Sequence, residues 1–473
     1  MPTSNLPRPL ANTAWLIGGA LARYAMSALT MLALTHLLAP QDFGLVAITV
    51  IVQLLIAHVL PVGFHDALIQ RPHLNTAEMD AAFWSVLGLG GVALLLSAIL
   101  APSIAAVFGH PALTTLLIGA AGAAWLRALN VVPRALLSRR MDFRTLAQAR
   151  LYGQAVGSVA AIALAIGGAG AWSLIAQVAL TYAVGGLITA HAVRWRPRAK
   201  LTLAALRPLW VFAPSVSLFT AISYTITRAD DLVIGYRLGA KRLGYYTLAY
   251  ALIAWVVQDV LGAAATAFYP LFTAQHGDRA RLRSLYLSSV SLAAWFAYPT
   301  LVLLAVTMPV GVRVILGTRW LPMALPAQIL ALVGIREAGG MFNGGVYRAL
   351  GVPHLHALLG LIGLPCYVLA FFIGANYGIA GVAFFLLLTS FLLQPAAWWL
   401  FWRVSGVTFR AWWQSVRAAA GVALALGVLA ALSLRLTVGL SDEIRLGLVA
   451  GEALLFVAFG WKRAFYEVGV SYA

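Results

Sequence analysis

Charge is what this sequence has least of. Only 10% of its 473 residues are Asp, Glu, Lys or Arg, and the acids number just 14. A soluble domain carries about 25% charged residues, so a water-soluble globule is excluded. Long polar stretches are missing as well, and with them any separate soluble domain. The single cysteine, Cys366, lies inside an apolar run. It can form no intramolecular disulfide and no cysteine metal cluster, and reads as a small packing residue. The N-terminal decapeptide has early prolines but no basic region leading into a short apolar core and a small-residue cleavage site. The first helix is therefore expected to stay in place.

Catalytic constellations are equally scarce. No Gly-rich phosphate loop ends in Lys-Ser/Thr, and no His-Glu-x-x-His occurs. Asp42-Phe43-Gly44 echoes a kinase signature, but no other kinase element accompanies it. Neither an enzyme nor a cofactor or metal site is predicted.

What is present is apolar. The chain is 62% hydrophobic with a mean hydropathy of +0.90. A spanning helix needs about 20 apolar residues, and such runs fill almost the whole length. Loop punctuation predicts about fourteen transmembrane helices in an all-α integral membrane fold. Among them are a second span at 44–70, a fourth at 112–137, an eighth at 243–272 and a tenth at 325–350. The net charge of +18 could suggest nucleic acid. Its distribution argues against that, because Lys and Arg gather in short loops on one side, as the positive-inside rule requires. Both termini are placed in the cytoplasm, with Arg237, Lys241 and Arg242 the main offenders in one outer loop.

The chain also repeats itself. The break Leu37-Leu-Ala-Pro-Gln-Asp-Phe-Gly-Leu-Val-Ala47 returns two hundred residues later as Arg237-Leu-Gly-Ala-Lys-Arg-Leu-Gly-Tyr-Tyr-Thr247. Three further pairs follow in order. Pro102 to Gly109 resembles Pro309 to Gly317, Asn130 to Leu136 resembles Asn343 to Leu350, and Gly167 to Gly170 resembles Gly378 to Gly381. Each pair links span n to span n+6, so corresponding spans cross in the same direction. Two parallel-repeat six-helix bundles around a central cleft are expected, related by an axis along the membrane normal. The expected divisions are a lobe at 1–193, a basic linker at 194–208, a second lobe at 209–402 and two extra helices with a short tail at 403–473.

Ionisable side chains inside spans cost about 2.5–3.5 kcal/mol on insertion scales and usually face protein or water. Arg23 and Arg336 lie deepest, Arg127 and Arg228 nearer span ends, and Arg150 in the first turn of the fifth span. One reading is a cationic cavity for an anionic headgroup, because guanidinium forks match phosphate oxygens. The other is a partner on a neighbouring helix or a reach to the interface, which suits Arg150 best. Asp230 and Asp231 read as a local ion pair with Arg228. His58, Asp259 and Glu337 are candidates for ion coupling, with a packing histidine the alternative for His58. Most tryptophans, including Trp84, Trp195, Trp320, Trp402 and Trp461, read as interfacial belts. Trp255, well inside the eighth span, is the one candidate for stacking on sugar.

The phrase at 37–47 resembles the turn between the first two spans of Wzx-type polysaccharide flippases of the colanic-acid-exporter kind. Ala67-Leu-Ile-Gln-Arg71, Phe83-Trp84 and Ala135-Leu-Leu-Ser-Arg-Arg-Met-Asp-Phe143 are similar to the same family. So are Asp230-Asp-Leu-Val-Ile-Gly235, Phe268-Tyr-Pro270 and Leu316-Gly-Thr-Arg-Trp320. The likeness covers residues 10 to 355, with His36 departing where relatives often have Arg. It implies the multidrug/oligosaccharidyl-lipid/polysaccharide exporter fold in a bacterial inner membrane. The implied cargo is an undecaprenyl-diphosphate-linked oligosaccharide, handed on to a polysaccharide polymerase and export machinery, with membrane lipid alongside. Two rivals are a cation-coupled drug exporter of the same superfamily, which would want buried acids in its first span, and a multispanning glycosyltransferase or polymerase, which would want a large outer loop. Neither feature is present.

Overall fold

The computed structural model describes residues 7–58, 64–71, 74–193, 195–198, 228–275 and 277–467. Among them there is no strand. The all-α expectation holds for the physical reason that set it: in hydrocarbon only intrahelical hydrogen bonds satisfy every backbone group. Among the described residues ten helices are long and apolar enough to cross a membrane, and residues Pro40–Ile56 form a shorter apolar helix. The chain gathers into two compact units, Met1–Gly244 and Tyr245–Ala473. Contacts group residues that touch, whereas the repeat groups residues that correspond, so the two divisions need not coincide.

In the first unit the helices are α1 (Pro7–Leu37), α2 (Pro40–His58), α3 (Phe64–Gln70) and α4 (Thr76–Phe108). They are followed by α5 (Ala112–Ala128), α6 (Val131–Arg139), α7 (Phe143–Ile166) and α8 (Trp172–Val193). The helix at 228–238, here α9, closes this unit, and α10 (Ala240–Ala254) begins in it. Most of the expected seventh span, and most of the basic linker, lie outside the described residues. The helix starts are written locally. Pro40 opens α2, where its missing N–H costs nothing, and the Asp42 carboxylate accepts the Ala39 N–H at 2.9 Å. Asn75 and Glu78 form a capping box on α4.

Glycine sets how closely these helices approach. On α7, a Cβ added at Gly153 would lie 2.5 Å from Thr181 O, and one at Gly157 2.5 Å from Gln177 O, so this face lies directly on the α8 backbone. The two similar turns meet in the same way. A Cβ at Gly44 would sit 1.7 Å from Ala240 O, and one at Gly244 1.8 Å from Pro40 O. Position 40 corresponds to 240 and 44 to 244, so the contact is reciprocal. The two turns pack backbone on backbone.

The second unit holds the rest of α10, a π-helical stretch Trp255–Leu261 and α11 (Gly262–Ala274). Next come α12 (Arg279–Gly311), a π turn (Val312–Leu316), a 3-10 turn (Thr318–Met323), α13 (Ala324–Ala338) and α14 (Asn343–Ala349). Last are α15 (Pro353–Ala375), α16 (Gly378–Ser405), α17 (Phe409–Leu436) and α18 (Asp442–Glu467). Asp442 accepts from Arg313 at 2.9 Å and Arg445 at 2.6 Å, tying the last hairpin to the end of α12. Two expectations fail on packing. Trp320 is fully buried, edge-on to Tyr245 at 5.8 Å, and is no belt residue. Cys366 is exposed rather than packed.

Candidate functional site

The expected fourth span is present as one apolar run over Ala112–Arg139, interrupted once. Helix α5 ends at Ala128 and α6 begins at Val131, with Leu129 and Asn130 between them in right-handed helical conformation. Asn130 is buried and donates to Tyr182 O at 2.9 Å and Leu126 O at 3.3 Å, which pins the break against α8. Arg134 stands on α6. There it lines a cavity of about 310 Å³ with Arg23 of α1 and Arg150 of α7. Gln154, Thr181 and Tyr182 complete much of the wall, and no Asp or Glu lines it.

Three guanidiniums converge without a carboxylate. Like charges near one another in a low-dielectric setting repel strongly, so such a cluster is stabilised by an anion. The neutral donors and acceptors around it suit oxygen-rich ligands. Arg23 also lies over the Tyr24 ring at 4.6 Å, a cation–π contact that orients it. Of the three, only Arg23 was expected here. Arg150 was read as reaching the interface, yet it lines the cavity. Arg134 was missed, because an unbroken span would have put it at a span end. The available signal was Asn130-x-x-Pro133, a turn followed by the start of a new helix.

The other sequence candidates lie elsewhere. Arg127 ends α5 half-buried, outside the cavity wall. Arg228 pairs with Asp231 at 3.2 Å, as the local ion-pair reading expected, and both Asp230 and Asp231 are buried. Arg336 donates to Gln394 Oε1 at 3.1 Å and stands 3.9 Å from Glu337. It lines a different cavity of about 990 Å³, in the second unit and walled by aromatic and aliphatic side chains. Trp255 and Asp259 fall in the π-helical stretch and are exposed. The His58 side chain lies outside the described residues. Among the described residues no three His, Cys, Asp or Glu side chains gather as a metal site.

The comparisons place this architecture. Residues 33–325, more than half of the chain, match the family model described as "Polysaccharide biosynthesis protein". The chain belongs to that family. It is similar to the succinoglycan biosynthesis transport protein ExoT of Rhizobium meliloti, at 26% identity over 67% of this chain and 65% of that one. The match therefore spans just under two thirds of that relative's length. The teichuronic acid biosynthesis protein TuaB of Bacillus subtilis is 24% identical over 79% of this chain and 78% of its own. The lipopolysaccharide biosynthesis protein WzxC of Escherichia coli is 24% identical over 67% and 65%.

Two solved folds are similar. The lipid II flippase MurJ, in an inward closed conformation, has a TM-score of 0.65 at 12% identity, covering 96% of this chain and 100% of that one. An inward-facing multidrug resistance MATE family transporter of the MOP superfamily has a TM-score of 0.60 at 18% identity, covering 82% and 98%. Membership of this polysaccharide family and a transporter fold agree with the resemblance read from the sequence.

Proposed function

We propose that this protein moves an undecaprenyl-diphosphate-linked oligosaccharide from the cytoplasmic to the outer leaflet of a bacterial inner membrane by alternating access. The observation that carries this reading is the acid-free cavity lined by Arg23, Arg134 and Arg150. A diphosphate supplies the anion that such a cluster lacks, and the Arg fork matches its oxygens. Family membership and the names of the relatives support a cargo on the way to an extracellular polysaccharide. Both termini lie in the cytoplasm on this reading, as the distribution of Lys and Arg favours. The protein carries cargo and catalyses no bond change.

A drug exporter driven by cations would need carboxylates in the cavity, and none lines it. Arg127, Arg228 and Arg336, with Trp255, remain proposed cargo contacts at other stages. His58, Asp259 and Glu337 remain proposed coupling groups.

The test is transport by the purified chain in proteoliposomes loaded with a fluorescent polyprenyl-diphosphate-linked sugar. Arg23→Gln and Arg134→Gln are expected to cut the rate by about tenfold or more, since charge-assisted hydrogen bonds contribute about 1.5–3 kcal/mol. Wild-type protein that ignores this substrate but expels a cationic dye would move the assignment to the exporter.

A further inference from the structure

Helices α16 and α17 are consecutive, joined only by Gly406, Val407 and Thr408. Such neighbours ordinarily pack as a hairpin. These two meet through the rings of Trp398, Phe409 and Trp412 while their backbones stay apart; α16 lies on α15 and α13, and α17 on α12. The gap between them is the cavity of about 990 Å³. Its walls are apolar apart from Gln394, from Trp402 to Leu387 on α16 and from Phe409 to Leu424 on α17. At 1.5 Å per residue the α16 wall runs about 22 Å. Trp399 and Leu424 are 53% and 66% exposed, so the slot is open at the side.

One end of the slot is aromatic. Trp398, Phe409 and Trp412 lie 5.4 to 5.8 Å apart in mutual ring contact. The Trp412 indole donates to Gly339 O at 3.0 Å. Near this end two N–H donors are buried with no acceptor, Nε of Arg336 and Nε1 of Trp398. A buried donor left unpaired costs about 1–3 kcal/mol. Among the described residues Arg336 is also the one charged side chain lining the slot.

We infer that this slot binds a polyprenyl-phosphate lipid of the cytoplasmic leaflet, with the chain between α16 and α17 and a phosphate oxygen at Arg336 and Trp398. The inference rests on the proposed cargo and adds a loading site to it. Two features select the occupant. An apolar slot of this length, open sideways in a membrane, suits a hydrocarbon chain. The unpaired donors of Arg336 and Trp398 suit anionic oxygens at one end of that chain. In the proposed orientation that end faces the cytoplasm, where a lipid of that leaflet carries its headgroup.

The test uses the full-length protein in nanodiscs containing phosphatidylglycerol, with a polyprenyl diphosphate carrying a photoreactive group on its chain. Labelling is expected on peptides containing Leu387 and Leu424. Ala420→Trp and Leu387→Trp, which fill the slot, should each reduce labelling to background. Arg336→Gln should weaken it about tenfold, while Val428→Trp, on an exposed position of α17 outside the slot, should leave it unchanged. Melting temperatures of all variants separate occlusion from misfolding, and two independent filling positions guard against loss of either one. Equal competition by excess phosphatidylglycerol, or labelling that persists in both filled variants, overturns the inference. Wild-type transport without slot labelling sinks the slot alone; slot labelling without transport of any lipid-linked sugar sinks the flippase reading and leaves the slot standing.

Discussion

Arg134 shows how a single residue changes meaning with its surroundings. Read along the chain it ends a span; folded, it faces Arg23 and Arg150 across a cavity that no acid lines. Arg134→Lys keeps the charge but loses the planar fork, so transport of a diphosphate-linked sugar should fall to an intermediate level between wild type and Arg134→Gln. Equal rates for Lys and Arg at this position would mean that charge alone is used. Arg228 poses the opposite case. Its partner Asp231 is buried at 3% exposure, so Arg228→Ala strands a carboxylate. That should cost about 3–5 kcal/mol, read as a large drop in melting temperature, and Arg228→Ala with Asp231→Asn should recover most of it. A double variant no more stable than the single would mean that the pair does not hold this helix.

Elements were legible where local chemistry writes them. Proline at 40, the Asp42 carboxylate and the Asn75–Glu78 box set helix starts from within a few residues. Breaks inside an apolar run were harder to see. The expected fourth span is interrupted between α5 and α6. Hydropathy does not change at this point; what changes is where a buried Asn130 finds its acceptors. The crossing of Gly44 with Ala240 and of Gly244 with Pro40 belongs to this scale too. Gly44→Val and Gly244→Val must push two backbones apart, and overpacking of this kind costs about 1–3 kcal/mol or more. Both variants should melt well below wild type in detergent, by similar amounts because the contact is reciprocal. A Gly44→Val protein as stable as wild type would show that the two turns do not pack this closely.

The orientation of the whole molecule rests on the distribution of charge, and the lone cysteine makes it easy to check. In a Cys366→Ala background, Met141→Cys should react with a membrane-impermeant maleimide only from the cytoplasmic side. Gly439→Cys should react only from outside. Reversed labelling would invert the proposed topology and with it the direction of transport. The duplicated order of motifs, read at this scale, foretold a second turn like the first. That the turns would touch was not foretold.

Membership of the membrane class and the duplicated order of motifs were legible in sequence alone. Transfer into hydrocarbon is a sum over residues along the chain, and a repeat is a correspondence between positions, so neither needs a third dimension. Which arginines share a cavity, which pair with acids, and that α16 and α17 part to leave a slot were decided only by tertiary structure. Those outcomes depend on how each helix is rotated and where it breaks. A long apolar run leaves both open until buried polar groups such as Asn130 find partners on another helix.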